Sequence, residues 1–370
     1  MAPHQLTPQQ ARRVAVRAQL LAAERPTDLL DTVRHLTLVQ DDPTAAVAPS
    51  AELVMWSRLG STYALGGLRD AVADGSLVET SMMLRPAEDV ALFTAEMAAW
   101  PGVGELDDWE VALEGWVEAN DDCRRDILDK LHDEGPLPST ELPDMTLIPW
   151  RSSGWNDDRN VRMLLEVMVA RGEVATAGRE GRVRLWDLAA RVYPDLPPVP
   201  LEDALRIRRE RRLRALGIAR GRAAVSPGEP NDVGDAGEEA VVEGVRGRWR
   251  VDPAYLEGGF EPRVALLSPL DRLHLDRKRM TELFGFDYQL EMYKPAARRR
   301  WGYWAMPVLV GDRLLGKLDA TAERDRGVLR VDAIHEDEPW DAGVRDAVTA
   351  EVEALAGFLD LVVERPESSG

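Results

Sequence analysis

The feature that most limits the possible folds is a run of helical segments ending in a β-hairpin, which occurs twice in the first half of the chain. In the first occurrence helical patterns continue to Asp74, and residues 75–84 then read as two short strands. In the second, a helical segment at 156–171 precedes a strand, a glycine-rich turn and another strand at 172–186. Helices followed by a hairpin indicate a winged helix, so the sequence predicts tandem units of this type.

One hydrophobic core rarely organises 370 residues, so we expect several compact units. From residue 263 onward β-type runs alternate with turns, before a final helix from about Gly343 to Leu359. The predicted fold class is α+β, mostly α, with tandem winged-helix units followed by a small β-rich domain. The predicted divisions are 1–100, 101–200, a degraded third unit at 201–262 with a mobile acidic loop at 226–239, and 263–370.

The composition excludes several classes of protein. No apolar run approaches the roughly 18 residues of a membrane span, and the first residues lack a signal-peptide pattern. Cys123 is the only cysteine, which excludes an internal disulfide and any multi-cysteine metal site. The five histidines lack the spacing of metal ligands, so neither a metal nor another cofactor is predicted. We expect a cytoplasmic monomer that does not associate with membranes.

The net charge of −19 argues against a nucleic-acid partner, because phosphate binding depends on clustered lysine and arginine. Local charge density, however, matters more than the charge of the whole chain. Residues 201–222 contain eight arginines against three acids, and a second basic cluster lies beside aromatic residues at 294–303. Each run could instead be a solvated face whose arginines pair with acids. The two patches together favour a polyanion as the partner.

The run QDDP at residues 40–43 holds the candidate catalytic side chains. A helix is predicted from Leu29 to about Thr37 and should end close to Gln40, because Pro43 disfavours a helical conformation at Asp42. In an extended backbone Gln40 and Asp42 project to the same side. Such a pair could serve bond breaking at a sugar carbon, where a carboxylate stabilises developing positive charge and orients or deprotonates water. The alternative is a helix stop in which an aspartate makes turn hydrogen bonds.

Two long segments resemble the crosslink-repair DNA glycosylase family, AlkZ/YcaQ-like: LTLVQDDPTAAVAPSAELVMWSRLG (36–60) and LLSPLDRLHLDRKRMTELFGFDYQLEMYKPAARRRWGYWAMPVLVGDRLLGKLD (266–319). The resemblance covers essentially the whole chain. It implies tandem winged-helix units and a C-terminal β-barrel around a DNA channel, without a metal. It also implies a catalytic Gln-x-Gln or Gln-x-Asp motif. The matching residues are Gln40 and Asp42, which places the chain nearer the Gln-x-Asp branch.

Members of that family excise N-alkylated purines, and some unhook interstrand crosslinks. The resemblance therefore implies a nucleoid-associated DNA glycosylase acting on N7-alkylguanine or N3-alkyladenine in double-stranded DNA. The sequence departs from the family pattern at Asp41, where an apolar residue is usual. In a second register Val39 and Asp41 would take the two catalytic positions, but the flanking segments favour Gln40 and Asp42. The alternative function is a winged-helix DNA-binding protein without catalysis, either a regulator or a damage-recognition scaffold.

The resemblance further implies a DNA-facing loop at 294–303, with cations for phosphates and aromatic side chains for a groove. A basic rim with Trp301 partly buried is the alternative. Residues 271–279 contain arginines that could contact phosphates or pair with neighbouring aspartates. Arg58 is a candidate phosphate or carboxylate partner beside the motif. The predicted DNA-binding residues are Arg58, Arg272, Arg277, Arg279, Lys294, Arg298, Arg299, Arg300, Trp301 and Tyr303.

Overall fold

The computed structural model describes residues 2–151, 159–181, 183–223 and 229–365. The chain forms two compact units. Unit 1 consists of residues 1–68 and 209–370, and unit 2 of residues 69–208. The predicted third unit and the predicted C-terminal domain thus lie largely in unit 1, together with the N-terminal helices. In the described ranges no helix combines the length and the apolar character that a membrane span needs.

The N-terminal part of unit 1 is mainly helical. Its elements are β1 (His4–Leu6), α1 (Pro8–Ala18), α2 (Leu29–Leu36), β2 (Val39–Gln40), α3 (Ser50–Leu59) and α4 (Gly67–Ala73), the last of which continues into unit 2. Thr7 caps α1 by accepting the backbone N–H of Gln10, and Pro8 occupies the first helical position, where its missing N–H costs nothing. Helix α2 ends at Leu36, one residue before Thr37 and four before Gln40, the position near which the sequence predicted its end.

Unit 2 combines helices with one sheet. Its elements are β3 (Leu77–Thr80), β4 (Met83–Pro86), α5 (Thr94–Ala98), α6 (Asp108–Ala119), α7 (Asp121–Glu134), β5 (Leu137–Pro138), α8 (Asn160–Ala170), β6 (Val174–Glu180), β7 (Val183–Leu188) and α9 (Ala189–Val192). The strand order within the unit is β4-β3-β6-β7-β5. The predicted hairpin at 172–186 is present as β6 and β7. The succession of helix, short strand, helix and hairpin is the one expected of a winged helix, and the tandem winged-helix description stays a prediction.

The remainder of unit 1 begins in a long helix. Helix α10 (Leu201–Leu216) starts in unit 2 and leads to β8 (Ile218–Ala219), β9 (Glu238–Val242) and β10 (Trp249–Val251). These strands form a sheet with the N-terminus in the order β1-β9-β10-β8, and β1 runs parallel to β9. Of the predicted mobile loop, residues 226–228 lie outside the described residues. The following part is anchored, since Val233 is fully buried against α10 and Glu229 pairs with Arg212.

The C-terminal part of unit 1 is rich in β-structure. It consists of β11 (Val264–Leu266), α11 (Arg272–Leu275), α12 (Arg277–Phe284), β12 (Met306–Val310), β13 (Arg313–Glu323), β14 (Val328–Glu336), α13 (Ala342–Phe358) and β15 (Val362–Glu364). The strand order is β11-β12-β13-β14-β15. Bulges between Val308 and Leu309 and between Asp319 and Ala320 increase the local twist, and the sheet curls into a half-barrel. The described residues therefore form a mixed α/β fold, and the expectation of a mostly α protein overstated the helices.

The main core of unit 1 joins its N-terminal and C-terminal parts. Val14 and Val16 of α1 pack in one buried cluster with Trp249, Leu273 and Trp301. Residues more than 280 positions apart in sequence are thus held by shared burial, which is the dominant favourable term in folding. The N-terminal helices that carry the predicted motif are therefore fixed against the C-terminal part of the same unit.

Candidate active site and nucleic-acid interface

The predicted motif lies on the connection between α2 and α3. Helix α2 ends at Leu36, and Thr37 then adopts a left-handed backbone with φ of 67°. The chain continues into β2, which Gln40 closes. The side chains of Gln40 and Asp42 are both partly exposed, and so is that of Asp41, the departure from the family pattern. Both candidate catalytic side chains therefore reach the surface of unit 1.

One oxygen of Asp42 forms a hydrogen bond with a described residue. Its Oδ1 accepts the backbone N–H of Thr44 at 2.8 Å, which is the turn hydrogen bond that the sequence allowed as an alternative. Within the described ranges no hydrogen bond reaches the other oxygen, Oδ2. A carboxylate held through one oxygen keeps its orientation while the second can accept a proton from water. The turn and a catalytic role are therefore compatible.

Arg58 does not face DNA, because its side chain has no exposed surface. Its guanidinium forms a two-pronged ion pair with Asp271, which is equally buried, and it also donates to the backbone carbonyl of Gln19. Of the two partners that the sequence allowed, a phosphate or a carboxylate, the structure shows a carboxylate. Arg58 is withdrawn from the DNA-binding set.

Arg279 is also buried, with 3% of its surface exposed, and donates to three backbone carbonyls, those of Leu216, Ile218 and Leu273. Burial lowers the pKa of Arg279 to about 10. Its role is to join α12 to the end of α10, so its predicted DNA contact is wrong. Arg272 is half-buried and directed inward, whereas Arg277 on α12 is exposed.

The predicted DNA-facing loop is organised by Glu291, a residue that the sequence did not single out. Its Oε2 accepts the backbone N–H groups of Arg300 and Trp301 at 2.6 and 2.9 Å, and its Oε1 pairs with Lys294 at 2.8 Å. Burial raises the pKa of Glu291, but the hydrogen bonds from Lys294 and the two N–H groups prevail, and the pKa lies below its ordinary value. A single buried carboxylate thus fixes both ends of the basic loop.

The aromatic residues of this loop have different roles. Trp301 is 6% exposed and belongs to the core of unit 1, so it is a support rather than a groove contact. Arg300 lies over the Trp301 ring at 4.6 Å from its centroid. Tyr303 is 39% exposed, and Arg299 lies over its ring at 5.0 Å. Arg298 is exposed and forms no ion pair with a described residue. The loop therefore presents cations supported by aromatic rings.

The arginines of 201–222 divide between the two interpretations that the sequence left open. Arg212 pairs with Glu229 and Arg220 pairs with Glu282, as expected of arginines whose partners are acids of the same chain. Arg209 and Arg222 are exposed and pair with no acid in the described part of the chain.

These two arginines belong to a basic cleft that sequence reasoning did not predict. The cleft has a volume of about 760 Å³ and is lined by seven cations from distant parts of unit 1: Arg209, Arg220, Arg222, Arg246, Arg248, Arg250 and Lys278. Arg246 and Lys278, like Arg209 and Arg222, are exposed and form no ion pair within the described ranges. An adjoining pocket of about 470 Å³ includes Arg277. The arginine density of 201–222 was the available signal, but the contributions of Arg246 and Lys278 depend on the fold.

The site is thus a surface carboxylate and amide on a unit that also presents a basic loop and a basic cleft, an arrangement suited to an enzyme acting on a polyanion. Within the described residues no group of three histidine, cysteine, aspartate or glutamate side chains could hold a metal ion. The fold is similar to the solved structure of the Streptomyces sahachiroi DNA glycosylase AlkZ, with a TM-score of 0.64 and 18% identity over 98% of this chain and 100% of that one.

The family model described as DNA glycosylase AlkZ-like matches residues 33–358. This chain therefore belongs to the AlkZ-like DNA glycosylase family and is a DNA-repair enzyme that acts on DNA. The matched range includes the motif, the basic cleft and the basic loop. Family membership favours the enzyme over the alternative of a DNA-binding protein without catalysis.

Proposed function

We propose that the enzyme is a monofunctional glycosylase that hydrolyses the N-glycosidic bond of N-alkylated purines, N7-alkylguanine and N3-alkyladenine, in double-stranded DNA. The observation that carries this proposal is the partly exposed Asp42, which lies two residues from Gln40 and whose Oδ2 accepts no hydrogen bond from the described part of the chain. It acts as a monomer, without a metal or other cofactor.

Alkylation makes the purine a cationic leaving group, so departure of the base needs no separate acid. As the bond from the sugar carbon to the base nitrogen breaks, positive charge develops on the deoxyribose, and the Asp42 carboxylate stabilises it. Water then attacks the sugar carbon and gives a proton to Oδ2 of Asp42. The Gln40 amide orients the water or the base. The products are the free purine and an abasic site.

The DNA contacts that we propose are cations of the basic loop and of the basic cleft, which belong to the same unit as the motif. On the basic loop they are Lys294, Arg298, Arg299 and Arg300, with Tyr303 available to a groove. Trp301 does not contact DNA in this proposal, and its ring instead supports the Arg300 guanidinium. The ion pair between Arg300 and Asp287 is exposed at both partners and weak, so a phosphate can replace Asp287. Arg277 and the cleft cations Arg209, Arg222, Arg246 and Lys278, which pair with no acid among the described residues, extend this surface.

Crosslinks formed through N7 of guanine carry the same cationic leaving group, so we propose that the enzyme also unhooks them. The position of the motif on a partly exposed connection supports access by a bulky adduct.

Release of free N7-methylguanine from a methylated duplex tests the proposal. We expect chromatography to show the free base, and the DNA strand to stay intact until alkali cleaves the abasic site. Strand cleavage without alkali would contradict a monofunctional reaction. If no free base were released from a duplex carrying N7-methylguanine, and none from a duplex carrying N3-methyladenine, the proposed substrate class would be contradicted.

A further inference from the structure

The connection that carries the motif is held at both ends by one short segment from much later in the chain. At its start, Arg272 donates from one terminal nitrogen to the Leu36 carbonyl at 2.7 Å and to the Thr37 hydroxyl at 2.8 Å. At its end, the hydroxyl of Ser268 bonds that of Ser50, the first residue of α3, at 2.7 Å. Segment 268–272 thus spans the connection from α2 to α3.

The segment itself cannot shift easily. Asp271, immediately before Arg272, is fully buried in its ion pair with Arg58 near the end of α3. The same carboxylate caps α11 by accepting the backbone N–H of Leu273 at 2.9 Å. Moving Arg272 would therefore disturb a desolvated charge, which is costly in a protein interior.

The hydrogen bonds of Arg272 are made where the chain changes direction toward the motif. Thr37 has a left-handed backbone, a conformation that a β-branched residue rarely adopts and keeps only where the surroundings impose it. Arg272 holds both the last carbonyl of α2 and the side chain of Thr37. Farther along, the Ala46 carbonyl accepts the N–H of Ala322 at 2.8 Å. Gln40 and Asp42 lie between these two fixed points.

We propose that Arg272 is a positioning residue for the reaction rather than a phosphate contact. It fixes the end of α2 so that the Gln40 amide and Oδ2 of Asp42 meet the sugar carbon in one arrangement. The inference rests on the proposed function of these two residues. It replaces the DNA contact that the sequence suggested for Arg272.

The test compares Arg272→Gln, Thr37→Val and the double variant in single-turnover base release at saturating enzyme. Affinity for an undamaged duplex is measured across a range of salt concentrations. Arg313→Gln is the matched control, because it removes an arginine of unit 1 whose pair with Glu338 is exposed and remote in sequence from the motif. Circular dichroism confirms folding of each variant.

We expect Arg272→Gln to lower the rate roughly 10- to 100-fold, since a displacement of about 1 Å has that effect on a reacting geometry. Affinity and its salt dependence should match the wild type. Thr37→Val should lower the rate by a smaller factor, because it removes only one of the two hydrogen bonds that Arg272 makes at the end of α2. The double variant should be no slower than Arg272→Gln, because the bond to the Thr37 hydroxyl is already absent there.

An unchanged rate at saturation in Arg272→Gln would overturn the inference, and so would a salt slope reduced by about 0.9, the value for one phosphate contact. Should Arg272→Gln fail to fold, the near-isosteric Thr37→Val decides, and a wild-type rate in that variant overturns it. Each of these outcomes differs from failure of the proposed function, because in that case the wild-type enzyme itself would release no base.

Discussion

Arg58 and Asp271 form an ion pair in which neither side chain has any exposed surface, and it links α3 to the segment before α11 across 213 positions of sequence. Burial, the largest influence, would raise the pKa of Asp271, but the charge and hydrogen bonds of Arg58 lower it below its ordinary value. Asp271 is therefore ionised in the folded protein. The pair fixes the relation between the N-terminal helices and the C-terminal part of unit 1.

Arg58→Met should destabilise unit 1 by about 3–5 kcal/mol, because it leaves the buried Asp271 charge without a partner. Urea unfolding followed by circular dichroism measures this change. The double variant Arg58→Met with Asp271→Leu should recover much of the lost stability, since no uncompensated charge remains. A double variant that is less stable than Arg58→Met would contradict the expectation.

Stability should fall as the pH drops below about 6.5. Burial, the largest influence, lowers the pKa of both His274 and His35 below their ordinary value of 6.5, so the folded protein binds fewer protons than the unfolded chain. Each histidine contributes at most about 1.4 kcal/mol per pH unit between that value and its folded pKa. Asp271 adds acid sensitivity only below pH 3.8, where the unfolded chain takes up its proton.

The urea midpoint at pH 7, 6 and 5 measures this dependence. In His274→Gln, whose amide can still donate to the Ser268 carbonyl that His274 Nε2 contacts, the dependence should be shallower. An identical pH dependence in this variant would exclude His274 as a source.

Glu291→Gln should open the basic loop. A glutamine cannot accept from Arg300 and Trp301 and also pair ionically with Lys294, as Glu291 does. Limited trypsin digestion should then cut within 294–300 faster, roughly tenfold for each 1.4 kcal/mol of local stability lost. Asp287→Asn, which removes an acid whose one ion pair among the described residues is with the Arg300 side chain, is the control and should leave cleavage nearly unchanged. Equal rates for the two variants would argue against Glu291 as the organiser.

The basic cleft should contribute to DNA affinity. The double variant Arg222→Gln with Arg246→Gln should reduce the slope of log affinity against log salt by about 2. Each phosphate contact contributes about 0.9 to that slope, because it releases condensed counterions. Fluorescence anisotropy with an undamaged duplex measures the slope. A double substitution of Arg69 and Arg125, exposed arginines of unit 2, makes the same change in charge elsewhere. If the salt slope falls by the same amount in both double variants, the cleft has no special role in binding DNA.

The sequence predicted the local elements well. Pro8 and Thr7 defined the start of α1, and the glycine-rich turn of 172–186 defined the hairpin of β6 and β7. Such signals are local, because caps and turns depend on residues within a few positions. The membership of β1 in a sheet with β8, β9 and β10 had no local signal, since it depends on pairing across more than 200 positions.

The roles of individual arginine and glutamate side chains were harder to predict from the sequence. Arg58, Arg272 and Arg279 look like phosphate contacts in sequence, yet Arg58 and Arg279 are buried and Arg272 binds the end of α2. An arginine can bind phosphates, carboxylates and backbone carbonyls, and the burial and partners that distinguish these uses depend on the fold. Glu291 escaped notice because its importance depends on which backbone N–H groups the fold brings to it.

The most direct test of the account is the single-turnover release of N7-methylguanine by Asp42→Asn. The substitution preserves size and the hydrogen bond from the Thr44 N–H but removes the charge and the proton acceptor. We predict a loss of at least roughly 100-fold in rate, as expected for a general base that also stabilises charge, with unchanged duplex affinity. A rate within a factor of about two of the wild type would contradict the central role of Asp42.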